Sequence, residues 1–354
     1  MFLALKEIKK EKLRYSLIIG MIVLISYLIF ILTSLALGLA HQNTDAINSW
    51  KVETVVLNQD ANVNLSQSLV TDQQVKDQKL TKKDALIGQV AVVVKDQKGK
   101  QAKISSSFVG IDNDQFIAKD LKLTSGHKVK QDHEVVVDEK FEQSGYRLGD
   151  KIELNDADKA FKIVGFTKNA KLNIAPVIYG KLSDWQALKH ATPQTKASAI
   201  VSKTKNLKVK EPLKSYKVKS FIEKLPGYSA QNMTFSLMIG FLMVISLIVI
   251  AIFLYILTIQ KLPNYAVLRA QGIPSSVLVW STLAQSLILV ISGTIIGTAL
   301  TAATAAILPA AVPMAFDIPI LASVAVGLVI TGLLGGLLPI RSVLKLDPVS
   351  VIGG

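Results

Sequence analysis

The chain has 354 residues, 50% of them hydrophobic, and a formal net charge of +14. In a soluble protein that charge would point to nucleic acid, but here the apolar residues are pooled into long runs, so the partner is membrane lipid and not nucleic acid. There is no cysteine, which excludes disulfides, thiolate metal sites and cysteine nucleophiles.

Residues 1–14 form a basic segment carrying Lys6, Lys9, Lys10, Lys12 and Arg14. Residues 15–40 follow as an uncharged run, and a bilayer core of ~30 Å needs ~20 apolar residues in a helix. The ending GLA-H is similar to a signal-peptide cleavage site, yet the run exceeds the ~7–15 residues of a signal h-region. It is expected to stay as transmembrane helix one.

Residues 41–232 are polar and lysine-rich, and read as a soluble α+β unit. Strands are expected at 51–57, 87–95, 133–141, 150–155 and 161–166, where β-branched residues dominate. The last two form a hairpin through the turn-favouring NDAD. Residues 183–190 suit a short helix with Ser183 as N-cap. The lysines between Lys203 and Lys224 read as a solvated surface. Asp112 and Asp114 fall in a turn.

Residues 233–260, 276–307 and 320–340 give transmembrane helices two to four, again with no charged residue. Between them lie a segment at 261–275 and a short outer loop at 308–319. A tail follows at 341–354. Lys261, Arg269, Arg341 and Lys345 join the basic N-terminus on one side, whereas the 308–319 loop has neither Lys nor Arg. By the positive-inside rule both termini and the 261–275 segment face the cytoplasm. The expected fold is therefore four transmembrane α-helices in the cell membrane, N and C termini cytoplasmic, with a large extracellular α+β domain between helices one and two.

Nothing in the sequence forms a catalytic constellation. The four histidines are His41, His127, His133 and His190, with no metal-site spacing among them. His127 and His133 are expected to be solvated, and His133 and Glu134, as strand neighbours, to point to opposite faces. GxSxG and the GxxxxGK[ST] phosphate loop are both absent. The chain is expected to be a non-enzymatic subunit that binds no cofactor and no metal and hydrolyses no ATP. Uncharged spans also argue against ion-coupled transport.

Small residues recur at four-residue spacing at Ser34 and Gly38, Gly293 and Gly297, and Gly332 and Gly336. Such pairs let helix backbones approach closely in lipid. They are read first as packing within the chain.

The 261–275 segment is longer than a turn requires. NYAVLRAQG is expected to form about two helical turns, with Pro263 in the first, Gly272 just past the end, and Tyr265, Ala266 and Leu268 offering apolar surface. From the residues alone it rests on lipid headgroups or docks on a protein. TIQKLPNYAVLRAQGIPSSVL resembles the loop between helices two and three of the MacB/FtsX-like ABC transporter permeases. The tail LKLDPVSVIGG and the external EVVVDEKFEQSGYRLGDKIELNDADKAFKIVGF are similar to that family's tail and core motifs. Asn264, Gln271 and Ser350 depart from its usual residues.

The resemblance implies a permease homodimer, which the helix-one face would serve, driven by a separate ABC ATPase, contacted through Tyr265, Leu268, Arg269, Ala270, Gly272, Asp347 and Pro348. The compact size and the DPVSVIGG ending bring the chain closest to the family's haem-exporter branch. Haem would then be substrate, with His41, Tyr27, Tyr228 and Met233 as candidate binding residues near the outer ends of helices one and two. The alternatives within the family are export of antimicrobial peptides, lipoprotein release, and FtsX-like signalling to a cell-wall hydrolase.

Overall fold

The computed structural model describes residues 10–155, 157–309, 312–337, 339–340 and 344. They divide into two compact units, Met1–Gly38 with Asn232–Gly354, and Leu39–Gln231.

The first unit is helical. Its long helices are α1 (Lys12–Ser49), α2 (Tyr228–Ala270), α3 (Ser275–Ile307) and α4 (Ile318–Leu337), each long and apolar enough to cross a membrane. α1 runs past the expected end at residue 40. The polar residues there support the helix by bonding back to it, Asn43 to the Leu39 carbonyl and Thr44 to that of Ala40, both at 2.9 Å. α4 begins at Ile318, where the Asp317 carboxylate accepts from the Ile320 N–H at 3.1 Å.

Inside this unit Tyr15, Ile18 and Ile22 of α1 pack on Ile250, Leu254 and Leu257 of α2 and on Leu289 and Val290 of α3. Small residues set the helix approach. A side chain at Gly293 would meet Ile22 Cγ2 at 2.5 Å, and one at Gly297 would strike Ser26. The Ser26 hydroxyl donates to the Gly293 carbonyl at 3.2 Å. α4 lies against α3 in the same way: Gly332 faces Val290, Gly336 faces Ser286, and Ser286 Oγ donates to the Gly332 carbonyl at 2.7 Å.

The helix-one pair is covered within the chain. Gly38 abuts the Pro313 backbone, and the Ser34 carbonyl accepts from the Ala315 N–H at 3.0 Å. The chain's own 312–317 segment covers that face.

The second unit is built on an eleven-stranded mixed sheet. Its early strands are β1 (Thr54–Asn58), β2 (Val70–Thr71), β3 (Asp84–Asp96), β4 (Ile104–Ile111), β5 (Ser125–Gly126) and β6 (Glu134–Asp138). The later ones are β7 (Lys151–Leu154), β8 (Phe161–Thr167), β9 (Lys171–Leu172), β10 (Ala175–Lys181), β11 (Thr195–Ala197), β12 (Ala199–Ser202) and β13 (Leu213–Lys217). The main order is β13-β1-β12-β3-β4-β10-β6-β8-β5, with β7 on β3 and β8, β9 on β10, and β2 and β11 paired apart.

Both sheet faces are covered, which is why the strands read as unbroken apolar runs. Val55 and Leu57 enter one core with Ile47, Trp50, Ile117 and Phe221. Val56, between them, enters the other with Phe108, Phe141 and Trp185. The indole of Trp185 lies over Gly88 and its Cβ against Gly110, so a side chain at either glycine would collide with Trp185.

The β7–β8 hairpin pairs Ile152 with Phe161. The expected 133–141 strand stops at Asp138, because that carboxylate accepts from the Lys140 N–H at 3.0 Å and starts a helix at Glu139–Gln143. Ser183 is not an N-cap. The Leu182–Leu188 helix starts from Lys181 without a side-chain cap, and the Ser183 hydroxyl donates instead to Asp132 at 3.2 Å.

Candidate functional site

The helix junction between α2 and α3 differs from the separate amphipathic loop expected at 261–275. α2 continues through it without interruption to Ala270, and only residues 271–274 connect to α3 at Ser275. The buried stripe of α2 explains this continuity. Ile250, Leu254, Leu257, Lys261 and Tyr265 are all buried at steps of three or four, the spacing that keeps one helix face inward. Pro263 is therefore inside a long helix, where its missing N–H weakens the ladder, and its ring is on the exposed side.

The helix ends in a Schellman motif. The Ile273 N–H donates to the Leu268 carbonyl at 3.1 Å and the Gly272 N–H to that of Arg269 at 2.9 Å. Gly272 has φ +88°, the left-handed position that only glycine adopts without strain. Leu268 and Ile273, the apolar pair that accompanies such a turn, both pack on the cluster of Tyr265, Ala266 and Leu278.

The expected contact residue Tyr265 is thus placed inward, together with Ala266 beside it. Tyr265 and Ala266 are fully buried within the chain, and Leu268 is half-buried in the same cluster. Arg269 is half-buried as well, whereas Ala270 and Gly272 are exposed. The face that remains open consists of Pro263, Asn264, Val267, Ala270 and Gln271, with Val267 47% exposed. Sequence reasoning missed Val267 because it restarted the helical phase at Pro263. Counting on from Ile250 places it outward only once Ile250 is known to face the bundle. Asp347 and Pro348 lie outside the described residues.

Lys261, counted above among the basic flanks of the spans, is 4% exposed. Its ammonium donates to the Tyr15 hydroxyl, and to Gln285 Oε1 at 3.2 Å. Tyr15 in turn donates to Gln285 Oε1 at 2.9 Å, and the charge lies 5.0 Å from the Tyr15 ring centroid. An ammonium has three donors and no acceptor, so its burial requires these oxygens. One polar cluster thereby ties α1, α2 and α3 at this end.

Tyr27 shares a hydrogen bond with Thr304 at 3.0 Å, and Met233 is 65% exposed. His41 is exposed on α1, 3.5 Å from Asp45. Tyr228 packs on a core of the sheet unit. Tyr27 and Met233 belong to the helical unit, His41 and Tyr228 to the sheet unit.

His133 corrects another expectation. Instead of being solvated, it contacts the buried Asp184, whose Oδ2 accepts the His133 N–H at 3.0 Å. Burial pushes the Asp184 carboxyl above the usual carboxylate range, against the opposing pull of that hydrogen bond. Among the described residues no group of three or more His, Cys, Asp or Glu could hold a metal ion.

Comparison with known proteins covers nearly the whole chain. Residues 16–212 match the MacB-like periplasmic core domain, and residues 236–348 match the FtsX-like permease C-terminal region. A protein of Staphylococcus haemolyticus named as the hemin transport system permease protein HrtB is 28% identical over 100% of this chain and 99% of its own length. A Staphylococcus epidermidis protein of the same name is 25% identical with the same coverage. The crystal structure of the periplasmic region of MacB from Actinobacillus actinomycetemcomitans aligns over 51% of this chain and 95% of its own. The identity is 13% and the TM-score 0.36, too low to add to the family match.

Proposed function

We propose a function from one premise: this chain belongs to the family of ABC transporter permeases with a MacB-like core domain and an FtsX-like C-terminal region. As such a permease it is a transporter component and a multi-pass membrane protein, and the family works with an ATPase. The finer reading is that a separate nucleotide-binding subunit docks on the α2–α3 junction, which faces the cytoplasm together with both termini. Two copies of the chain would assemble with two such subunits. Hemin, named for the full-length relatives, would be the exported substrate.

The observation that carries the coupling is the exposed Pro263, Asn264, Val267 and Gln271 face on an unbroken helix end. A flexible loop would absorb the motion of an ATPase. A helix continuous with a membrane span, closed by a Schellman turn and packed on Leu278 of α3, passes it on as a lever. Lys261, bonded to Tyr15 and Gln285, carries the same displacement to α1.

The test is to co-express the chain with its nucleotide-binding subunit and compare Val267→Asp with Tyr265→Phe. A buried valine contributes roughly 1.5–3 kcal/mol, and a carboxylate in its place must be desolvated. Val267→Asp should insert normally yet lose the copurifying ATPase and the protection of cells from toxic hemin. Tyr265→Phe should keep both. Retention of the ATPase by Val267→Asp overturns the docking face. Normal ATPase association without any protection from hemin overturns the substrate.

A further inference from the structure

The sheet unit contains a cavity of about 730 Å³ between the end of β3, the β7–β8 hairpin and the Leu182–Leu188 helix. That volume lies in the range of pockets that bury most of a small organic ligand. Val93, Leu154, Phe161 and Leu188 supply apolar walls. Lys95, Lys103 and Lys159 supply three ammonium groups. Of the two carboxylates in the lining, Asp158 is exposed while Asp184 is buried and turned to His133.

His133 is held in a particular way. Asp184 Oδ2 accepts its backbone N–H, and Oδ1 lies 3.0 Å from its Nδ1, off the line of an aligned hydrogen bond. The Phe161 ring stands edge-on to the imidazole at 5.2 Å and 79°. Nδ1 is buried, whereas the His133 side chain is 35% exposed. The accessible edge of the ring is therefore the one away from Nδ1, which carries Nε2. A carboxylate behind one imidazole nitrogen, with the other nitrogen on the accessible edge, is the arrangement that orients histidine as a metal ligand. A single such imidazole does not hold a bare ion, which needs several ligands, but it suffices for a metal already held in a ring.

We propose that this cavity binds a flat apolar ring system with acidic side groups and a Lewis-acidic metal centre, with His133 Nε2 as the metal ligand and Lys95, Lys103 and Lys159 as partners of the acidic groups. Using hemin as the probe rests on the proposed function; the cavity does not follow from it, because its lining contains none of His41, Tyr27, Tyr228 and Met233. The cavity would receive the cargo outside the membrane unit.

The experiment titrates purified full-length chain in detergent with hemin and with metal-free protoporphyrin IX, followed by absorbance. Hemin should bind at least about tenfold tighter than the metal-free ring, a difference of about 1.4 kcal/mol. His133→Ala should bring hemin down to the metal-free level. His133→Met should restore binding with a displaced absorption band, since a thioether also ligates haem iron. Lys95→Glu with Lys159→Glu should weaken both rings. Ala187→Trp, at an exposed position of the lining, should obstruct the cavity without disturbing the core, which guards against a His133 variant that fails to fold. Wild-type hemin affinity and spectrum in both His133→Ala and Ala187→Trp overturn the inference. If those variants also still protect cells, the export reading stands without it. A wild-type chain that binds no hemin overturns both.

Discussion

In the sheet unit the side chains with no exposure include Trp185, Tyr179, Phe108 and Phe141, whereas the helical unit leaves Leu17, Phe241, Ile295 and Trp280 more than 60% exposed. The helical unit buries Ser26, Ser286, Gln285 and Lys261 instead. Water drives apolar surface inward. Hydrocarbon around a helix gives no such drive, so close backbone approach and interhelical hydrogen bonds hold the bundle. The two units are therefore broken by opposite substitutions: loss of volume in one, gain of volume in the other.

The largest effect is expected in the sheet unit. Trp185→Ala leaves a hole over Gly88 and should cost ~3–5 kcal/mol. Thermal unfolding of the full chain should show the sheet transition moved down while the helical one stays. A single transition that moves as a whole would mean that the two units unfold together.

Next is the pH dependence of the sheet unit. Asp138 is buried, and burial pushes its carboxyl up from 3.8 to about 6, although the Lys140 and Ala170 N–H groups oppose the shift. The folded chain binds a proton more tightly than the unfolded one, so this contribution is fully present below about pH 4 and lost as pH rises through 6. The loss is at most about 3 kcal/mol. Subtracting the melting profile of Asp138→Asn from that of the wild type should show a decline between pH 4 and 7. A flat difference would refute it.

In the helical unit Gly297→Leu should cost ~1–3 kcal/mol by overpacking, because its side chain meets Ser26. Gly240→Leu, with open space around it, serves as the control. Equal melting temperatures for the two variants would sink the close-approach account of this bundle. The smallest effect is expected for Tyr15→Phe, which removes the hydroxyl between Lys261 and Gln285 and should cost about 1 kcal/mol. A much larger loss would show that the Lys261 charge is left without adequate acceptors.

Much of the architecture was legible in the residues because its signals are local. Uncharged runs marked the spans, and the apolar run at Phe161–Thr167 with NDAD before it marked the hairpin. The Gly293, Gly297, Gly332 and Gly336 spacing marked the close approaches now seen against α1 and α3. The junction was misread because a proline and a lysine look like the end of a span. Nothing local tells that the oxygens of Tyr15 and Gln285, distant in sequence, wait for the Lys261 ammonium.

By itself the sequence determined which segments are long and apolar enough to cross a bilayer, that the chain carries no phosphate loop, and where its strands alternate. These depend on composition and on the periods of helix and strand. Only the tertiary structure decided that α2 runs unbroken to Ala270 with Val267 outward and Tyr265 inward, and that Asp184 stands behind His133. Each of these depends on which distant partner fills the space or accepts the proton, and no spacing along one chain encodes that.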